Sequence, residues 1–219
     1  MRMLNSSAVF GLFFILLFGG AFAHADESDR VKEAVEKNVA DILATFEAKK
    51  ATFEADPDGF YDEMERAIST IIDFRRIAAR VMGKYGRRAN KEQRDVFVEN
   101  FKASLFKTYT KAIIDQGSFE RRVVKAQINP RSDKRASVDM EVISSSGSTY
   151  PVTYSMYKTG DDKWLMENVI VFGINIGLAF RDKFETQMRA EKGDIAAVIN
   201  NWTVDLKIDT PAEAQVQDS

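Results

Sequence analysis

The chain has 219 residues, with 31 Lys and Arg against 33 Asp and Glu, 45% hydrophobic and 29% charged residues. Those proportions belong to a globular chain of one domain or two small ones, and exclude a disordered, collagenous or throughout membrane-spanning protein. There is no Cys and a single His, His24.

The first 25 residues read as a secretory signal peptide. Arg2 supplies a basic start, Ala8 to Gly20 is an uncharged apolar run, and Ala23-His24-Ala25 forms an A-x-A cleavage site ahead of Asp26 and Glu27. The run is short for a bilayer span, although an uncleaved anchor is the alternative. No Cys follows it, so a lipoprotein anchor is excluded. Cleavage after Ala25 removes His24, leaving 194 residues with neither His nor Cys. Ser-His-Asp and Cys-His catalysis, and zinc sites built on imidazole or thiolate, then lie beyond the chain's own residues. The expected organisation is a signal peptide over 1–25, one domain over 26–208, and a disordered polar tail over 209–219.

Helical spacing of Val31, Val35, Val39, Ile42, Leu43 and Phe46 predicts a first helix. Asp56-Pro57-Asp58-Gly59 reads as a turn, and Phe60 to Ile72 resumes the helical pattern. Asp73 is placed to cap a short helix that runs to Met82 and stops at Gly83. Asn90 with Gln93 forms a capping box opening a long helix. Its apolar stripe is Val96, Phe97, Phe101, Leu105, Tyr109 and Ile113, and Gly117 ends it.

The period then changes to two. Arg121 to Ile128 reads as a strand. Ala136, Val138, Met140 and Val142 alternate with polar residues, then Ser144 to Gly147 turns the chain. Tyr150, Val152, Tyr154 and Met156 alternate in the next strand, and Thr159 to Asp162 turns it again. Trp164 to Phe172 is the expected last strand. Short strands joined by tight turns predict an antiparallel meander. Pro151 points to an edge or bulge, because it lacks a ladder donor. Leu178 to Arg189 is expected to be helical, and Asp194 to cap a short helix ending at Asn200. The fold class is α+β.

Charge is unevenly distributed. Asp26 to Ile72 carries 6 basic and 13 acidic residues, Asp73 to Arg135 carries 17 and 7, and Ala136 to Ser219 carries 7 and 13. A basic middle between acidic flanks suits an anionic partner, unless it is a solvated face with internal ion pairs. Its candidate contacts are Arg75, Arg76, Arg80, Lys84, Arg87, Arg88, Lys91 and Arg94. Nucleic acid is a poor partner: the chain is acidic overall and carries no groove-reading motif.

Large apolar residues face inward on the predicted sheet and the helices above it. They either interlock as a core or leave a cavity for an apolar ligand, and periodicity does not distinguish these. Glu167 is the one carboxylate embedded in an apolar strand. It would serve a third reading, a carboxylate-based hydrolase, but the chain is expected not to be an enzyme. Phosphate loops, nucleotide fingerprints and calcium loops are absent.

Three stretches together resemble a known family. They are Ile72-Asp73-Phe74-Arg75-Arg76-Ile77-Ala78 leading to Val81-Met82-Gly83; Gln93-Arg94 with Phe97, Phe101, Leu105 and Tyr109; and Trp164 to Asn175 continuing through Phe180 to Phe184. The pattern is similar to that of the MlaC family, the toluene-tolerance periplasmic proteins, over roughly residues 31–202. The resemblance implies helices packed on a curved antiparallel sheet that encloses an apolar lipid cavity. It implies a periplasmic phospholipid carrier, without cofactor or metal. Such a carrier moves lipid between an outer-membrane lipoprotein–porin complex and an inner-membrane ABC transporter with an MCE-domain ring, maintaining outer-membrane lipid asymmetry. The expected lipid contacts are Phe74, Val81, Phe97, Phe101, Leu105, Tyr109, Val138, Met140, Val142, Val152, Tyr154, Met156, Trp164, Met166 and Val169. The expected partner or head-group contacts are Arg75, Arg76, Arg80, Arg87, Arg88 and Arg94, in a chain expected to be a monomer. The alternative is a periplasmic interaction protein or chaperone with a filled core. The sequence departs from the family pattern at Asn168 and Phe172, where acids are expected, and at Asn175, where a hydroxyl is expected.

Overall fold

The structure, a computed structural model, describes residues 19–116, 120–144 and 147–204. Most of the expected signal segment, the stop at Gly117, two serines of the 144–147 turn and the whole 209–219 tail lie outside them. Helix α1 spans Gly19–Lys49 and buries Val31, Val35 and Phe46. Helix α2 spans Pro57–Ile68. The Asp56-Pro57-Asp58-Gly59 stretch is therefore not a free turn but the start of this helix. The Asp56 side chain accepts from the Gly59 amide at 3.0 Å, and Pro57 takes the first helical position, where its missing N–H costs nothing.

Helix α3 (Phe74–Met82) is capped as its sequence predicts. Asp73 Oδ1 accepts from the Arg76 amide at 2.9 Å, and Gly83 closes the helix with φ 53°, a conformation that penalises any Cβ. The capping box of α4 (Lys91–Gln116) is reciprocal. The Gln93 amide donates to Asn90 Oδ1 at 2.8 Å and the Asn90 amide to Gln93 Oε1 at 3.0 Å.

Strands β1 (Glu120–Asn129), β2 (Ser132–Ile143), β3 (Thr149–Lys158), β4 (Trp164–Val171) and β5 (Ile174–Asn175) form an open antiparallel sheet in sequence order. Across β2, β3 and β4 the register sets Met140 beside Val152 and Val171, and Val138 beside Tyr154 and Val169. These residues share one face, because side chains alternate along a strand. Trp164 begins β4 as expected, but that strand ends one residue short of Phe172 and is not the last. Phe172 and Gly173 turn with φ 51° and 79° into the two-residue β5. Pro151 is not on an edge: it pairs with Glu141 in interior strand β3, and the β3–β4 irregularity falls at Ser155/Met156. It is tolerated because its carbonyl, and with it the missing N–H, faces the turn beyond the end of β4, where the Phe172 amide donates to that carbonyl at 3.3 Å and no ladder donor is called for.

The α2–α3 linker is stitched to β4. The Met166 amide donates to Ile71 O at 2.7 Å, and the Asp73 amide to Met166 O at 3.3 Å. Helices α5 (Ile176–Ala190) and α6 (Ile195–Asn200) complete the described fold. The Asp194 side chain caps α6 through the Ala197 amide at 3.0 Å. Helices α3 to α6 share a filled core in which Phe97, Phe101, Phe180, Phe184 and Trp202 stack, Phe97 and Phe184 lying 5.1 Å apart edge to face. Val96, placed on this stripe by spacing, is instead 38% exposed.

Candidate functional site

Helix α1 crosses between the sheet and α2, and on either side of it the packing stays open. One chamber, of about 370 Å³, lies between α1, the α2–α3 linker and the inner face of the sheet. It is lined by Val35, Val39, Ile71, Met140, Val142, Tyr154, Met156 and Met166 among others. A second, of about 320 Å³, lies between α1, α2 and α4 and is lined by Phe46, Phe60, Met64, Phe74, Leu105, Phe106 and Tyr109 among others. Ile42, Leu43, Ile68 and Ile72 face both chambers, so these adjoin across one row of aliphatic side chains. Almost every wall atom is apolar, and Met and aromatic side chains adapt to varied guest shapes.

Of the expected lipid contacts, the structure places Phe74, Leu105, Tyr109, Met140, Val142, Tyr154, Met156 and Met166 on chamber walls. It places Val81, Phe97, Phe101, Val138, Val152, Trp164 and Val169 elsewhere. Val81, Phe97 and Phe101 belong to the filled helical core. Val138 is wholly buried against Val31 and Val35. Trp164 Nε1 donates to Glu27 Oε1 at 2.9 Å, which ties α1 to the first residue of β4. Burial works to raise the Glu27 pKa, but hydrogen bonds from Lys158 and Trp164 outweigh it and hold this carboxyl below its usual range. Sequence reasoning missed the α1 and α2 walls: Ile42, Leu43, Phe46, Phe60, Met64 and Ile68. The signal was present as helical periodicity, but nothing in it told a chamber wall from a core.

Glu167 is the hub of an ion cluster and no chamber residue. Its side chain is 2% exposed. Its oxygens accept from Arg76 Nε at 2.6 Å and Arg135 at 2.5 Å, and Arg80 completes the cluster as an ion pair at 2.9 Å. The Arg76 guanidinium also lies 3.9 Å over the Tyr157 ring. Tyr157 donates its hydroxyl to Asp73, and burial with that bond pushes its pKa up to about 12. Both carboxylate oxygens of Glu167 are engaged by guanidiniums, which makes it a structural hub joining α3, β2 and β4.

Much of the basic middle is neutralised internally. Arg75 pairs with Asp95 at 2.5 Å, Lys91 with Asp95 at 2.7 Å, and Lys84 with Glu185 at 2.8 Å. Hydrogen bonds from Lys91 and Arg75 hold the exposed Asp95 carboxyl down at about 2. Arg94 donates to the Ala89 and Gly86 carbonyls at 2.6 and 3.2 Å. Arg87 and Arg88 remain exposed without a carboxylate partner among the described residues, Arg88 lying 5.8 Å over the Tyr85 ring.

The corner expected to depart from the family pattern is held by two side-chain-to-backbone hydrogen bonds. Asn168 Oδ1 accepts from the Gly177 amide and Asn175 Oδ1 from the Leu178 amide, each at 3.0 Å. A Cβ on Gly177 would lie 2.4 Å from Asn168 Oδ1, so this approach needs glycine. Phe172 packs on Tyr150 with ring centroids 5.5 Å apart.

Among the described residues no helix is long and apolar enough to cross a membrane. The chain is 35% identical over 171 residues to toluene tolerance protein Ttg2D of Pseudomonas putida, covering 78% of each. Its fold is similar, with TM-score 0.68 and 18% identity, to a phospholipid-binding protein from Ralstonia solanacearum solved in complex with a phospholipid. That match covers 77% of this chain and 92% of the other. The profile of the MlaC protein family matches residues 36–204, and with it the chain belongs to the MlaC family.

Proposed function

We propose that the chain is a periplasmic phospholipid carrier that holds acyl chains in the two chambers. It takes them from or to an outer-membrane lipoprotein–porin complex and an inner-membrane ABC transporter with an MCE-domain ring. The observation that carries this reading is the pair of adjoining apolar chambers sharing Ile42, Leu43, Ile68 and Ile72. The phospholipid complex of the Ralstonia protein supports it. A buried methylene contributes about 0.8 kcal/mol, so a dozen contribute roughly 10 kcal/mol before ordering costs, with no catalytic group required. Arg87 and Arg88, exposed and without a carboxylate partner among the described residues, are available to meet an acidic partner surface.

Leu43→Trp tests the reading. Leu43 faces both chambers, and an open chamber accepts volume that a packed core rejects. The variant is expected to keep its thermal midpoint within a few degrees while losing most bound lipid. Unfolding without any change in lipid content of the folded fraction would count against the chambers as the lipid site.

A further inference from the structure

Of the residues lining the sheet-side chamber, only one is exposed: Arg121. It therefore marks where the chamber meets water. Its position is unusual. On β1 it pairs with Val142, itself a chamber residue, and shares the inward face with Val123, which pairs with Met140. Because Arg121 is exposed, its charge stays hydrated there and is available to an anion at the edge of the chamber. The neighbouring Arg122 points to the other face and is answered by Glu141 at 2.5 Å. Arg121 has no carboxylate partner among the described residues. Asn38 lines the same chamber from α1. The Tyr154 hydroxyl is the third polar group there, and its one bond is to Met140 Sδ at 3.8 Å, a weak acceptor. Three donors of graded strength thus border an otherwise apolar chamber.

We infer that Arg121, with Asn38 and Tyr154, forms a phosphate-reading mouth, so that the chamber selects a diacyl lipid bearing a phosphodiester over one with the same chains and none. The inference rests on the carrier reading above and adds the ligand's polar chemistry to it. The guanidinium takes the phosphate oxygens in a charge-assisted, forked contact, while the amide and phenol donate to oxygens nearer the acyl chains. A phosphodiester is charged at every pH the periplasm meets, so the contact does not depend on protonation.

The test loads the lipid-free full chain from maltoside micelles holding either dioleoylphosphatidylglycerol or dioleoylglycerol, and counts bound lipid by extraction. The wild type is expected to retain the phospholipid more strongly. Arg121→Gln is expected to lose phospholipid affinity roughly tenfold, with dioleoylglycerol retention unchanged, because one charge-assisted hydrogen-bonded contact is removed and the apolar walls are not. Arg121→Lys keeps the charge, loses the fork and should fall between. Equal losses for both lipids in Arg121→Gln, or no loss for either, overturn the inference while leaving the carrier reading intact. A wild type that takes up neither lipid overturns both. Inorganic phosphate in excess is the last arm: displacement of the phospholipid by it would assign the mouth to the free ion and overturn a lipid-specific role.

Discussion

Replacing Glu167 by Gln probes how the sheet and α3 are held together. The carboxylate is 2% exposed, accepts hydrogen bonds from two guanidiniums and pairs with a third, all within 2.9 Å. The amide keeps the shape but turns one acceptor into a donor that faces guanidinium donors, and it leaves three like charges around a neutral group. Removing one partner of a buried ion pair costs about 3–5 kcal/mol. Here Arg76, Arg80 and Arg135 remain 37%, 42% and 46% exposed, so water recovers part of their solvation and the upper part of that range is out of reach. The expected loss is about 2–3 kcal/mol. With a urea slope of about 2 kcal/mol/M, the unfolding midpoint falls by about 1–1.5 M. Added salt should recover part of it by screening the three cations. A midpoint shift under about 0.2 M would refute the clamp, since that is what a solvated surface pair gives. Loss of a hydrolytic activity with stability intact would refute it from the other side, by making Glu167 catalytic.

Tyr157, pushed up to about 12, is protonated in the folded chain where an ordinary phenol would already ionise. Its contribution is therefore complete below pH 10 and is lost as pH rises toward 12; ultraviolet titration should show a late phenol that moves down in Asp73→Asn. Asp95, held at about 2, contributes above the ordinary carboxyl range and loses that contribution as pH falls toward 2; its side-chain resonance should move up in Lys91→Ala. Asn90→Ala removes one half of the α4 capping box and should cost about 1 kcal/mol in chemical denaturation, with lipid content unchanged. Reversing Arg87 and Arg88 to Glu should slow docking to membrane-complex partners and flatten its salt dependence; docking rates indifferent to both salt and reversal would make the pair a solvated face.

The local rules of the sequence translate directly into structure where a side chain bonds its own neighbourhood. Asp73, Asn90 with Gln93, and Asp194 each cap the helix they precede, and the alternation of Val138, Met140, Tyr154 and Met156 sets the inner face of the sheet. Asp56 was legible as a punctuating residue but not as a cap, because the same Asp-Pro-Asp-Gly string suits a turn and a helix start equally. The site was half legible. An aromatic stripe such as Phe97–Phe101 announces burial without naming its neighbours, and here these are α5 and Trp202 rather than lipid space. The missing walls come from α1 and α2, whose periodicity is ordinary. A chamber is defined by what does not fill it, and no one segment encodes that. The basic middle misleads for a similar reason: Lys84 meets Glu185 and Arg135 meets Glu167, partners remote in sequence. Asn168 and Asn175 show the reverse: residues that the resemblance marks as departures bond the start of α5 through their side-chain oxygens.

On the proposed function, the space on either side of α1 holds acyl chains. Native mass spectrometry of the chain purified from cells without detergent measures this directly. The expected result is a protein mass raised by one or more diacyl lipids, released on collisional heating and identified as phospholipid after solvent extraction, with the added mass much reduced in Leu43→Trp. A bare polypeptide mass in the wild type, recovered even after incubation with phospholipid vesicles, would contradict it.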